Sequence, residues 1–151
     1  NFYALAVSPS GDIYAAAYDY YNPLWKIDPL TGNATVFPLN TNGNGPYYAM
    51  AMAFDNSGML YLSDIYGYLY TIDLNTNTVT NIGSLGYGFK ALQFDPTNGQ
   101  LYALTDFDLF TIDLNSMSVN YVGSLYEGSG YQYYYFDDMV FDASGNLYVV
   151  N

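Results

Sequence analysis

Cysteine, histidine and arginine are all missing from this 151-residue chain, and lysine occurs only as Lys26 and Lys90. Without Cys there is neither a disulfide framework nor a thiolate metal site, and cysteine usage assigns no redox compartment. Without His or Cys the commonest general base and the thiol nucleophile are gone, together with most metal-ligand sets. Against two cations stand 14 acids, a net charge of −12. That balance repels phosphate backbones and anionic lipid surfaces, which argues against nucleic acid as a partner. No apolar run approaches the roughly 18 residues of a spanning helix, so no membrane insertion is expected. The chain opens NFYALAV, with no initiator Met and no basic leader, as in a processed chain or an excerpt from a longer one.

What is present is aromatic. The chain holds 20 Tyr and nine Phe, while charged residues make up only 11%. Solubility therefore rests on Asn, Ser, Thr, Gly and tyrosine hydroxyls, a mixture that points to an extracellular or cell-surface protein. The length is that of one domain able to bury its own core.

The chain is also repetitive. FDNSGMLY (54–61) returns as FDPTNGQLY (94–102) and FDASGNLY (141–148), with a looser copy, VSPSGDIY, at 7–14. A second motif, LWKID, LYTID or LFTID, starts at Leu24, Leu69 and Leu109. A third follows it: NATVFPL (33–39), NTVTNIGSL (77–85) and MSVNYVGSL (117–125). Helical periodicity is absent and period-2 alternation recurs, so each repeat reads as four short strands, a to d. In strand a, Leu5, Met52, Leu92 and Met139 share a face with Val7, Phe54, Phe94 and Phe141, and the opposite face carries small residues. Four strands per repeat of 40–47 residues predict an all-β propeller of four-stranded antiparallel blades. The blades fall at about 2–48, 49–89, 90–136 and 137–151, the last incomplete, or about three and a half in all.

The recurring motif is then the a–b hairpin. Gly11, Gly58, Gly99 and Gly145 are expected at positive φ. Asp55, Asp95 and Asp142 are expected to accept backbone N–H bonds within their own turns rather than to bind metal, and Asp28, Asp73 and Asp113 likewise.

AVSPSGDIYAAAYD and MVFDASGNLYVVN resemble repeats of NHL-type and related secreted bacterial β-propellers. The resemblance covers nearly the whole chain and implies the fold rather than a function. Some NHL propellers bind RNA through basic surfaces, which an Arg-free chain does not inherit. Gluconolactonase-like relatives use inner-strand acids and Asn around a metal. The one Glu here, Glu127, lies in a loop, so that activity does not carry over either.

Candidate chemistry is sparse. Carboxylate pairs occur at Asp106/Asp108 and Asp137/Asp138. Asp138 aligns with Ala4, Ala51 and Ala91, and so breaks the small-residue face of the strand nearest the channel. Asp137 and Asp138 are the candidates for a Ca²⁺ site; no other cofactor is implied. No enzyme is expected.

The loops separate into two sets. The a–b and c–d turns are short. The b–c and d–a loops on the opposite face carry Tyr18, Tyr20, Tyr21, Tyr47, Tyr48, Tyr66, Tyr68, Tyr87, Tyr126, Tyr131, Tyr133, Tyr134 and Tyr135. Tyr joins a large apolar ring to a polar tip and suits contact surfaces that stay wetted, including sugar-binding ones. Asn33-Ala34-Thr35 is an N-glycosylation sequon in a c–d turn. The incomplete fourth blade and the outer strands TVTNIGSL and SVNYVGSL, which lack Lys or Pro, are expected to leave open edges. The expectation is a non-catalytic structural or adhesive subunit that self-assembles with copies of itself, by preference into a filament. The alternative is a carbohydrate-binding propeller that takes glycans on its Tyr-rich face.

Overall fold

The computed structural model describes residues 1–125 and 135–150. They form fourteen strands and no helix. The first sheet is β1 (Phe2–Val7), β2 (Ile13–Ala17), β3 (Leu24–Ile27) and β4 (Ala34–Val36). The second is β5 (Ala49–Phe54), β6 (Leu60–Asp64), β7 (Tyr68–Asp73) and β8 (Thr78–Ser84). The third is β9 (Ala91–Phe94), β10 (Leu101–Leu104), β11 (Asp108–Asp113) and β12 (Ser118–Ser124), and a last pair is β13 (Asp138–Phe141) with β14 (Leu147–Val150). Each sheet is an antiparallel meander in chain order, β1-β2-β3-β4 and its repeats. The chain is thus a β-propeller of four-stranded blades, with two strands described in the fourth.

Register explains how the blades stack. Residues directly opposite in an antiparallel pair share a face. In the second blade, Met52 faces Leu62 and Tyr70, while Phe54 faces Leu60 and Ile72. This face packs on Tyr14, Ala16 and Leu24 of the first blade and closes one core. The other face of the second blade, with Ala51, Ala53, Tyr61 and Leu69, packs on Leu92, Phe94, Leu101 and Ile112. The third blade repeats the pattern, setting Ala91, Tyr102, Leu104 and Leu109 against Met139, Leu147 and Val149. A blade therefore presents bulky aliphatic and aromatic residues to its predecessor, and to its successor the small residues of strand a with a Tyr and one or more Leu. Small residues on strand a let adjacent innermost strands approach, and β1, β5, β9 and β13 pack in that order.

The turns behave as the repeat predicts. Gly11, Gly58, Gly99 and Gly145 have φ of 89°, 88°, 75° and 83°, the left-handed region that glycine occupies without strain. Asp55 Oδ1 accepts from the Ser57 and Met59 N–H groups at 2.9 Å. Asp95 Oδ1 accepts from Thr97 N–H and Oγ1, at 2.8 and 2.7 Å. Asp142 accepts from Ser144 and Asn146 N–H. The c–d turns use Asp28, Asp73 and Asp113 in the same way, toward Leu30, Asn75 and Asn115 N–H. These carboxylates cap turns.

Candidate functional site

The b–c and d–a loops bring most of the described loop tyrosines together around Tyr48. Its ring centroid lies 4.7 Å from Tyr18, 5.9 Å from Tyr20 and 6.4 Å from Tyr66. Tyr20 stacks on Tyr47 at 4.4 Å with planes 9° apart, and Tyr21 meets the edge of Tyr20 at 5.0 Å. Tyr3 extends the row through Tyr18, 5.4 Å away. Tyr18, Tyr20, Tyr21 and Tyr66 are exposed, with Tyr47 and Tyr48 partly covered. Beneath Tyr20, Tyr21 and Tyr47 is a cleft of about 230 Å³ floored by Pro23, Leu39 and Pro46.

Tyr48 sits at φ +57°, a left-handed conformation uncommon for a bulky residue. Its N–H donates to Asp19 O at 3.3 Å, and its carbonyl accepts from Ile65 N–H at 3.2 Å. The d–a loop is thus tied to the b–c loops of two successive blades, and Tyr48 holds the strained position that joins them.

Asp64 is the residue under this surface that the sequence does not single out. It is fully buried. Its Oδ1 accepts from Tyr66 and Tyr68 N–H at 3.0 Å each, and its Oδ2 from the Tyr70 hydroxyl at 3.0 Å. Burial pushes its carboxyl above the usual aspartate range, against the pull of these donors and of the Tyr47 backbone N–H. Burial, with Asp64 close by, also raises the Tyr70 hydroxyl well above an ordinary tyrosine. Asp64 has the geometry of a buried cap for its b–c turn. Beside it Ser63, also fully buried, has no hydrogen-bond partner for Oγ.

The remaining candidates lie apart. Tyr87 stacks near Phe110 at 6.0 Å and lies beside Phe89, in a second aromatic group that reaches Tyr121 through Phe110. Tyr68 is exposed and enters the site through its N–H. Tyr135 is exposed beside Phe107 at 5.2 Å. Tyr126, Tyr131, Tyr133 and Tyr134 lie outside the described residues. Asn33 is exposed in its turn, as a sequon acceptor must be.

Lys90 organises the carboxylate pairs. Its Nζ bridges the Asp106 carboxylate and Asp137 Oδ1, the latter at 3.3 Å, and lies 5.7 Å from the Tyr135 ring centroid. The ion pair with Asp106 is the main cause of a raised Lys90 pKa. Asp108 accepts from the Ser124 hydroxyl. Among the described residues, no three carboxylates converge as a metal site. Asp138 lines the central channel with Ala4, Leu5, Met52 and Leu92, around a cavity of about 320 Å³. Its surface opens to the channel, yet crowding by neighbouring strands pushes its carboxyl up, with Asp137 adding to the effect.

The fold has counterparts among solved structures. No family model and no curated protein matches the chain. An auxiliary nutrient-binding protein from Bacteroides thetaiotaomicron superposes with a TM-score of 0.68 at 15% identity, over 99% of this chain and 36% of that one. The extracellular domain of a proposed one-component system from the same organism gives 0.64 at 18%, over 99% and 20%. A protein proposed to be a gluconolactonase gives 0.70 at 16%, over 97% and 56%. The chain spans little more than half of the longest-matched of these. At such identities the likeness is one of fold.

Proposed function

We propose that this chain is a non-catalytic, extracellular propeller subunit that works by contact and associates with copies of itself. The observation that carries this reading is the exposed aromatic surface on one loop face, where Tyr18, Tyr20, Tyr21 and Tyr66 gather around Tyr48. Exposed apolar surface of this kind marks an interaction site. An extracellular setting is supported by the nutrient-binding protein and the extracellular domain that share the fold. Catalysis is disfavoured by the carboxylates themselves: Asp106 and Asp137 are engaged by Lys90, Asp108 by Ser124, and the turn aspartates by backbone. Light scattering at physiological salt tests the reading: species larger than one chain support it, and a compact single chain contradicts it.

A second reading, carbohydrate binding, is favoured by the Tyr48 ring cluster and the cleft beside it. Exposed rings flanked by Asp19 and Asn22 offer both stacking and hydrogen bonds to a sugar. A glycan array compared with Tyr21→Ala and Tyr48→Ala tests this: saturable binding lost in either variant supports it, and no binding removes it.

A further inference from the structure

We infer that Tyr20 and Tyr47 form a site for an oxidative cross-link, a dityrosine made within one chain when a one-electron oxidant fuelled by hydrogen peroxide, such as a peroxidase, meets this loop face. The inference is independent of self-association and of sugar binding.

Coupling two tyrosines requires that their ortho carbons, the ring positions beside the hydroxyl, come face to face. Tyr20 and Tyr47 meet that requirement, with centroids 4.4 Å apart and planes within 9°. Among the other described Tyr–Tyr pairs, Tyr18–Tyr48 is tilted by 35°, and the rest are farther apart and tilted by 37° or more. The two hydroxyls lie at the same end of the stack. The Tyr47 phenol is the largest cause of a raised Tyr20 pKa, through its charge and through hydrogen bonding between the side chains. A stack with its hydroxyls at opposite ends would part the ortho carbons, whereas this one brings them together.

Both rings are held by their own loops. Asp19 Oδ1 accepts from Tyr21 and Asn22 N–H at 2.7 and 2.8 Å and fixes the b–c turn that carries Tyr20. The Tyr47 hydroxyl donates to Gly43 O at 3.0 Å, and Asn44 N–H donates to Thr41 O at 2.8 Å. That d–a loop is tight: a Cβ on Gly45 would lie 2.5 Å from Thr41 Cγ2.

The chemistry balances with peroxide as the oxidant. Each phenol gives up one electron and its hydroxyl proton. The two phenoxyl radicals pair in a bond between ortho carbons, and the hydrogen on each of those carbons moves to oxygen and restores the phenol. Two hydrogen atoms leave the protein, and one hydrogen peroxide becomes two waters. Tyr21 is 84% exposed and 5.0 Å from Tyr20, so it is where a bulky oxidant makes contact. Tyr48 connects Tyr18 and Tyr66 to Tyr20, so an electron vacancy on any of these rings can reach the pair. The product ties the b–c loop of the first blade to the d–a loop entering the second. In a chain without cysteine it constrains the unfolded state as a disulfide would.

The test treats the dilute full chain with horseradish peroxidase and hydrogen peroxide, then cleaves before each Asp. Cleavage separates residues 19–27, which carry Tyr20, from 28–54, which carry Tyr47. The expected product is a single chain with blue dityrosine fluorescence, in which these fragments stay joined, lighter by two hydrogens, with tandem mass spectrometry placing the bond at Tyr20 and Tyr47. Tyr20→Phe and Tyr47→Phe keep the rings but should lose this joined fragment, while Tyr121→Phe, exposed on β12, should keep it. The cross-linked chain should melt at a higher temperature than the untreated one. A bond mapped elsewhere, cross-links mainly between chains, or no dityrosine would overturn the site. The wild-type map decides this even where a variant misfolds. A correctly placed bond that leaves melting unchanged would overturn its role as a staple.

Discussion

Tyr61 and Phe94 meet across the second and third blades at 5.0 Å, edge toward face, and register assigns the same pairing to Tyr14–Phe54 and Tyr102–Phe141. The position of Tyr61 is therefore an energetic unit of the stack. Tyr61→Ala is expected to cost about 3 kcal/mol in urea unfolding, as for other large aromatic truncations. Tyr148→Ala in this chain should cost less than about 1 kcal/mol, because its ring is 55% exposed. Equal losses at both sites would contradict the part that burial plays at Tyr61.

Asp64 answers three donors in a site closed to water. Asp64→Ala leaves two buried N–H groups and the Tyr70 hydroxyl without an acceptor, and should cost about 3 kcal/mol or more. Tyr70→Phe removes one donor only and should cost about 1 kcal/mol. A circular-dichroism melt showing Asp64→Ala no worse than Tyr70→Phe would contradict the capping role.

Ser63 is the converse case. Register places Ala16 and Leu104 at the same position in neighbouring blades, and both are buried without a polar group. Ser63→Ala removes a buried hydroxyl that has no partner, and is expected to stabilise by up to about 1 kcal/mol. A clear loss of stability would show that Oγ has a role the geometry does not reveal.

The acids divide by sign. Hydrogen bonds in their turns hold Asp28, Asp73, Asp95, Asp113 and Asp142 below the ordinary aspartate value, led by the backbone of Leu30, Asn75 and Asn115 or the side chains of Thr97 and Asn146. Their contribution is present above the unfolded pKa and is lost as pH falls through the lowered folded one. Asp138 runs the other way: although it opens to the channel, partial desolvation by the neighbouring strands raises it, with Asp137 adding, so ionisation opposes folding from the ordinary value upward. Melting curves from pH 3 to 8 should show Asp138→Asn more stable than wild type at neutral pH, with the gap closing as both reach acid. No gap at neutral pH would contradict this.

The strands were legible because two simple signals agree in every repeat, period-2 alternation and a Gly-bearing turn before Leu–Tyr or Ile–Tyr. The turn role of Asp55, Asp95 and Asp142 was legible for the same reason, since donor and acceptor lie within four residues. Asp64 was not. In SDIYGY it looks like Asp19 in YDYYNP, and only burial opposite Ala49 separates them. One signal was present, in that the register-equivalent residues are Ala17 and Thr105, so Asp64 is out of pattern. Lys90 was equally opaque, because it joins Asp106 to Asp137 across 47 residues. The loop tyrosines read as one surface, whereas packing divides them: Tyr18, Tyr20, Tyr21, Tyr47, Tyr48 and Tyr66 gather, while Tyr87 turns to Phe89 and Phe110. Such a division follows from ring contacts over the sheet, which spacing does not encode.

Salt adds a signature of its own to self-association. Two chains each carrying −12 repel at low ionic strength, and screening shortens that repulsion to about 8 Å at physiological salt. Aromatic contact through the exposed loop tyrosines does not weaken with screening, so association should tighten as salt rises. The most direct measurement is sedimentation velocity of the wild-type chain across a salt series, with Tyr21→Asp run alongside. The account predicts species larger than the 16.8 kDa of one chain, gaining population with salt and reduced in Tyr21→Asp. A single 16.8 kDa species at every salt concentration would contradict it.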